Sequence, residues 1–229
     1  MKATDLAGIW TESGLPDYYE SHRQTTGDVY PSEWLFLQGL LTEGMSVLDV
    51  GCAVGGFASI IGEHVNDFRY TGVDVSPEMV NRARLRHPHH AFHTATDEEL
   101  TVLGTARYDL VLCLGVLHLT DGWRKLLDAV WRHSNRWLLF DLRESFVKSL
   151  EDRTVSSMRM DSWRTDGTGR GLELPYNVIN AADARRTIVE TCTGCLALKS
   201  HAYLGGPSDA ARTPIQHVFM TTYCLEREG

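Results

Sequence analysis

Short runs of purely apolar residues alternate with segments of helical spacing through the middle of the chain. "SVLDV" (46–50) reads as a buried strand stopped by Gly51. Apolar residues then recur at helical intervals in "GGFASIIGEHV" (55–65). "RYTGVDV" (69–75) is a second strand, and "SPEMVNRARLR" (76–86) opens a helix with Ser76 as N-cap and Pro77 at the first position. "HAFHTA" (90–95) is a third strand. "YDLVLCLGVL" (108–117) is apolar on both strand faces, the pattern of a central strand covered on both sides. A helix from about Asp121 to His133 and a fifth strand, "RWLLFDL" (136–142), complete the series. Strands alternating with helices at this spacing imply crossover units and a doubly wound parallel sheet.

After Asp141 the rhythm breaks. Residues 143–179 form no clean strand–helix unit, and "DGTGRG" (166–171) reads as a turn between two extended segments. A helix near 180–191 and two strands, "LALKSHAYL" (196–204) and "HVFMTTYCLE" (217–226), close the chain as an antiparallel edge addition. Two aromatic-rich helical segments, "GLPDYYESHRQ" (14–24) and "SEWLFLQGLL" (32–41), precede the sheet. The expected fold is a single α/β domain over 1–229, a doubly wound, seven-stranded, mostly parallel sheet with an antiparallel last strand. An N-terminal helical cover (1–41), a core (42–142), an insertion after strand five (143–179) and a C-terminal helix and strand pair (180–229) make up its parts.

Composition narrows the function. The chain has 229 residues, 43% of them hydrophobic, enough for one well-buried core. With 22 basic and 30 acidic residues the net charge is −8, which argues against a nucleic-acid partner. No apolar run approaches the roughly 18 residues that span a bilayer. "MKATDLAGIW" lacks a signal-type apolar stretch, so the expected location is cytoplasmic, away from membranes. Five scattered cysteines read as reduced and packed, and "CTGC" (192–195) has no second ligand pair to make a zinc site.

The chemistry centres on "VLDVGCAVGGFA" (47–58), a strand, a glycine loop and a helix start. In an open parallel sheet, ligands bind beyond the carboxyl ends of the strands. Ala53 stands where a G-x-G-x-x-G dinucleotide loop has its second glycine, the one that lets the pyrophosphate approach. The stretch instead resembles the first motif of class I S-adenosylmethionine-dependent methyltransferases. "YTGVDVSPEMVNRAR" (70–84) resembles that family's second motif, and "YDLVLCLGVLHLTD" (108–121) its fourth-strand motif. The flanking "VYPSEWLFL" and "LLFDLRES" resemble a bacterial small-molecule branch associated with surface-glycan biosynthesis.

The resemblance implies S-adenosyl-L-methionine as cofactor. It places Asp49, Gly51, Cys52, Ala53 and Gly55 around the amino-acid end, and Asp74 on the ribose hydroxyls. Val75 and Met79 beyond strand two, with Leu114 and Gly115 at the end of strand four, complete the cofactor contacts. The family has an aspartate after strand three that meets the adenine amino group. Here "HTATDEEL" (93–100) puts Thr96 at that position and Asp97 next to it, and either can serve.

Methyl transfer from a sulfonium is an in-line displacement, so alignment supplies much of the acceleration. His118, just past strand four, is the candidate base, with a packing role of equal weight. Tyr18, Tyr19, His22 and Arg23 in the N-terminal cover are candidate substrate contacts, because aromatic faces steady a sulfonium and arginine forks onto a carboxylate. Tyr30 and Trp34 are lesser candidates. Asp141 and Arg143 open the insertion and are expected at the substrate. Asp121 and Asp141 are present, but "DLRE" gives Asp141 no adjacent partner of the Asp-Asn kind that a metal-dependent enzyme would need, so no metal is expected. The histidines of "RHPHHAFH" (86–93) read as a polar connection far from the cleft.

The reading is a metal-independent methyltransferase acting on an oxygen or nitrogen of a small molecule, such as a glycan precursor or secondary metabolite. Its rivals are an RNA or protein methyltransferase and a non-catalytic S-adenosylmethionine-binding protein. The insertion, the loop "GGPSDAARTP" (205–214) and the N-terminal segment are expected to build the acceptor pocket. The oligomeric state is left open.

Overall fold

The computed structural model describes residues 8–10, 15–95, 98–160 and 173–228. Parallel strands β1 (Met45–Val50), β2 (Phe68–Asp74), β3 (Ala91–Thr94), β4 (Tyr108–Cys113) and β5 (Ser134–Ser145) form the backbone of the main sheet. A small sheet contains β6 (Ser157–Arg159), β7 (Glu173–Pro175) and β10 (Ala211–Arg212). The two-residue β8 (Ile179–Asn180) pairs with β5, while β9 (Cys195–Gly205) and β11 (Val218–Arg227) finish the main sheet. Its order is β3-β2-β1-β4-β5-β11-β9, the expected seven strands, with β8 as a short eighth beside β5.

Helices α1 (Leu15–Ser21), α2 (Pro31–Leu37), α3 (Gly56–Gly62), α4 (Pro77–Arg86), α5 (Trp123–His133) and α6 (Ala181–Thr191) surround it. The apolar run of β4 has the expected cause. Val111 and Cys113 join one core with Trp123 and Leu127 of α5 and Ile188 of α6. Leu110 and Leu112, pointing the other way, join a second core with Ile60 and Ile61 of α3 and Val80 of α4. Helix starts follow local chemistry: Ser76 Oγ accepts from the Met79 N–H at 3.3 Å, and the Asn180 side chain caps α6.

The closing strand pair is antiparallel, and β11 is inserted between β5 and β9. Burial explains the order. Tyr223, Cys224 and Leu225 of β11 are buried, whereas β9 carries Lys199 and His201 and is exposed over most of its length. In the insertion, β6 pairs antiparallel with β7, and β10 of the 205–214 loop pairs with β6. The two segments expected to meet at the pocket are therefore one small sheet. The "DGTGRG" turn lies outside the described residues. Helix α2 lies on β5, β9 and β11, and α1 is tied to α4 by Arg82, which bridges Asp17 at 2.8 Å and Glu20 at 2.9 Å.

Candidate functional site

Two cavities lie beyond the carboxyl ends of β1, β2 and β4. The smaller, about 150 Å³, is lined by Gly51, Cys52 and Ala53 of the loop, by Asp74, Val75 and Met79, and by Leu114 and Gly115. Asp74 anchors it: one carboxylate oxygen accepts from the Ala53 N–H and the other from the Ser76 N–H, both at 2.9 Å. Each oxygen keeps a lone pair for a further donor. Burial raises the pKa of Asp74, and the Ser76 and Ala53 N–H groups oppose that rise. Glu98 and Leu100 also line this cavity, and no motif announced them. Thr96 and Asp97 lie outside the described residues.

The loop glycines make room for protein. Gly51 has φ +80°, and a Cβ there would collide with the Val116 side chain. A Cβ at Gly56 would collide with the Arg23 carbonyl oxygen, so this glycine is where the N-terminal cover crosses the loop. Gly55 does not line either cavity; it packs on Phe92 and on His87. No histidine of the 86–93 run lines either cavity, although His87 backs the loop at Gly55.

Asp49 also stands behind the cavity wall. It is 2% exposed and accepts a hydrogen bond from the Tyr70 hydroxyl. Burial pushes its pKa up to about 7, against the Tyr70 bond and the charge of Arg23. A folded pKa above the unfolded value near 3.9 is a stability cost that is absent below that pH and grows as pH rises towards 7. Asp49→Asn keeps an acceptor for Tyr70 without the charge. It is expected to stabilise the free protein by roughly 2–4 kcal/mol at pH 8 and negligibly at pH 4. Melting curves at the two pH values check this, and a pH-independent difference would refute it.

The larger cavity, about 660 Å³, is lined by Tyr18, Tyr19, Tyr30, His118 and two buried ion pairs. Arg23 bridges Glu33 at 2.7 Å, and Arg143 bridges Asp141. Glu33, absent from the sequence reading, is 2% exposed; burial raises its pKa and Arg23 opposes. Burial alone would raise Asp141 too. The Arg143 guanidinium, then His118 and the Gly115 N–H, outweigh that and hold it below the usual carboxylate range. The Gly115 N–H donates to Asp141 at 2.5 Å, which fixes the turn after β4. His118 is 5% exposed, and burial together with Arg143 depresses its pKa to about 3.

Trp10, Tyr19, Arg23, Gly115 and Leu119 line both cavities, so the two meet there. His22, expected at the substrate, lines only the smaller cavity; its ring stacks on Tyr18, with Nδ1 2.7 Å from the Tyr18 carbonyl oxygen. Trp34, half-buried against the core, packs beside the exposed His64 and lines neither cavity, and Asp121 is exposed. Tyr176, Met158 and Met160 of the insertion line the larger cavity. Their segments have no periodicity that would single them out. Among the described residues no cluster of three metal-ligating side chains occurs, and no helix is long and apolar enough to cross a membrane. All five cysteines are free.

Residues 48–136 match a family model described as a methyltransferase domain. The 2-methyl-6-phytyl-1,4-hydroquinone methyltransferase of Synechocystis sp. (strain ATCC 27184 / PCC 6803 / Kazusa) is 32% identical, over 32% of this chain and 28% of its own length. The chain thus aligns with under a third of that relative. Among solved structures, the magnesium protoporphyrin IX methyltransferase of Synechocystis PCC 6803 with bound S-adenosylmethionine superposes with TM-score 0.52. Its identity is 17%, covering 94% of this chain and 80% of that one. The N-terminal domain of EvdMO1, solved with S-adenosylhomocysteine and D-fucose, gives TM-score 0.59 at 15% identity, over 85% and 81%. At such identities the likeness establishes the fold.

Proposed function

Residues 48–136 being a methyltransferase domain on the class I fold, we propose that this protein transfers a methyl group from S-adenosyl-L-methionine to an oxygen or nitrogen of a small molecule. The observation that carries the reading is the paired cavities: a smaller one anchored on Asp74, meeting a larger one at Tyr19, Arg23, Gly115 and Leu119. Glycan precursors and secondary metabolites are the proposed acceptor pool, in keeping with the acidic net charge of −8 and with relatives named for small-molecule acceptors.

The donor set suits the cofactor. Asp74 has lone pairs to spare for ribose hydroxyls, and Met79, Leu100 and Leu114 offer apolar surface for a base. When bound, S-adenosylmethionine supplies an already activated methyl group. The chain's own work is alignment: Asp141 holds the Gly115 turn at the junction, while Arg143 and His118 face the acceptor side. His118 is uncharged across the neutral range, because its pKa lies at about 3. It can accept a hydrogen bond from the attacking group and orient it.

His118→Ala is expected to lower turnover by roughly 10²–10⁴-fold if it takes the proton, with cofactor affinity within about two-fold of wild type. Turnover unchanged in that variant would assign His118 a packing role only. The decisive experiment incubates the protein with methyl-labelled S-adenosylmethionine and a fractionated extract. Label in a small-molecule fraction supports the proposal. Label in RNA or protein overturns the acceptor class, and cofactor binding without any transfer would make the chain a binding protein.

A further inference from the structure

The larger cavity holds a polar group that the fold itself leaves idle. Its charged lining cancels, Arg23, Arg143 and Arg159 standing against Glu33, Asp141 and Asp209. The innermost of these are closed ion pairs. An anionic acceptor would have to compete with a carboxylate already in place, and a cationic one with a guanidinium. What remains is neutral. His118 Nδ1 is buried without a hydrogen-bond partner, on a residue 5% exposed, while the Tyr176 hydroxyl, on a residue 1% exposed, is neighboured by the Arg143 guanidinium and the Ser208 backbone. Their rings meet edge to face, 5.7 Å apart at 87°. A buried polar atom without a partner costs stability unless a ligand satisfies it.

Met158, Met160 and Met220 line the same cavity. Thioether side chains mould to irregular apolar shapes and make favourable contacts with aromatic rings. His118 adjoins Leu119, which lines both cavities, so its unpartnered group sits near the crossing point.

We infer that the acceptor is an uncharged phenol, its hydroxyl seated between His118 Nδ1 and the Tyr176 hydroxyl and its ring on the methionine wall. The chemical consequence rests on the methyl-transfer reading above; the binding site does not. In the transfer, the phenolic oxygen forms its bond to the methyl carbon as the carbon–sulfur bond breaks, and that electron pair returns to sulfur, leaving a neutral thioether. The phenolic proton passes to His118 Nδ1 and then to solvent. A phenolic hydroxyl, which ionises near pH 10, gives up that proton more readily than an alkanol does.

The test is calorimetric titration of the full chain with 4-propylphenol, 4-propylbenzoate and 4-propylbenzylamine, with and without S-adenosylhomocysteine. The phenol is expected to bind at least ten-fold tighter than either charged analogue. Tyr176→Phe should weaken phenol binding about ten-fold in protein whose melting curve remains cooperative. Equal or tighter binding of the benzoate or the amine overturns the inference. So does phenol affinity indifferent to Tyr176→Phe, and so does no phenol binding by protein that takes up S-adenosylhomocysteine. Tyr176-dependent phenol binding by protein that takes up no S-adenosylhomocysteine upholds the pocket and removes the methyl-transfer reading instead.

Discussion

Asp141→Ala is expected to destabilise the protein by about 3–5 kcal/mol, the range for breaking one side of a buried ion pair. Asp141 is 5% exposed, and it holds both the Arg143 guanidinium and the Gly115 N–H. Truncation strands a buried positive charge and an unpaired backbone donor together. For a chain of this size the melting temperature should fall by roughly 6–20 °C. The pH dependence has a definite sign. The folded pKa of Asp141 is depressed, so its contribution is present above the unfolded value and is lost as pH falls through the folded one. The gap between wild type and variant should therefore narrow in acid, below about pH 4. Replacing both partners by apolar residues, Asp141→Leu with Arg143→Met, should recover much of the loss. Melting curves at pH 7 and pH 3 decide it, and a drop of under about 3 °C at pH 7 would show the pair to be dispensable.

Asp74→Ala is expected to weaken S-adenosylmethionine binding by ten-fold or more, each decade being about 1.4 kcal/mol. The carboxylate is 7% exposed, at the end of β2, and its two oxygens tie the Ala53 loop to the start of α4. Removing it takes away the proposed ribose acceptor and frees a loop residue, Ala53, that holds φ +47°. That conformation is costly for a residue with a Cβ, so the loop depends on the hydrogen bond to Asp74. Asp74→Asn separates the two effects. It keeps a carbonyl for one N–H and loses the charge, so it should fall between wild type and alanine. Calorimetric affinity unchanged in Asp74→Ala would take this residue out of the cofactor site.

Much of this molecule was legible in advance because its signals are local. The β4 run is apolar on both faces since helices cover both, and that pattern needs no knowledge of which helices they are. Ser76 and Pro77 declare a helix start within two residues. The loop residues Gly51, Cys52 and Ala53 and the strand-end Asp74 share one site because strand, loop and helix follow each other directly in the chain.

The acceptor side was only partly legible. Tyr18, Tyr19, Arg23, His118, Asp141 and Arg143 do come together at the larger cavity. Glu33 and Tyr176 had no signal: Glu33 matters because Arg23 folds back onto it, and Tyr176 because β7 is stitched to β6 and β10. Asp49 sits in a motif expected to touch the cofactor, yet strand alternation turns its side chain towards Tyr70.

The sequence by itself determined the strand–helix alternation, the helix caps, the parallel core and the position of the loop that meets Asp74, because each depends on neighbours a few residues apart. Only the tertiary structure decided that β11 lies between β5 and β9, that Gly56 admits the Arg23 carbonyl, and that two ion pairs and an unpartnered imidazole nitrogen face one cavity. Those arrangements join residues from distant parts of the chain, and their energies come from burial and charge pairing that exist only once the segments have met.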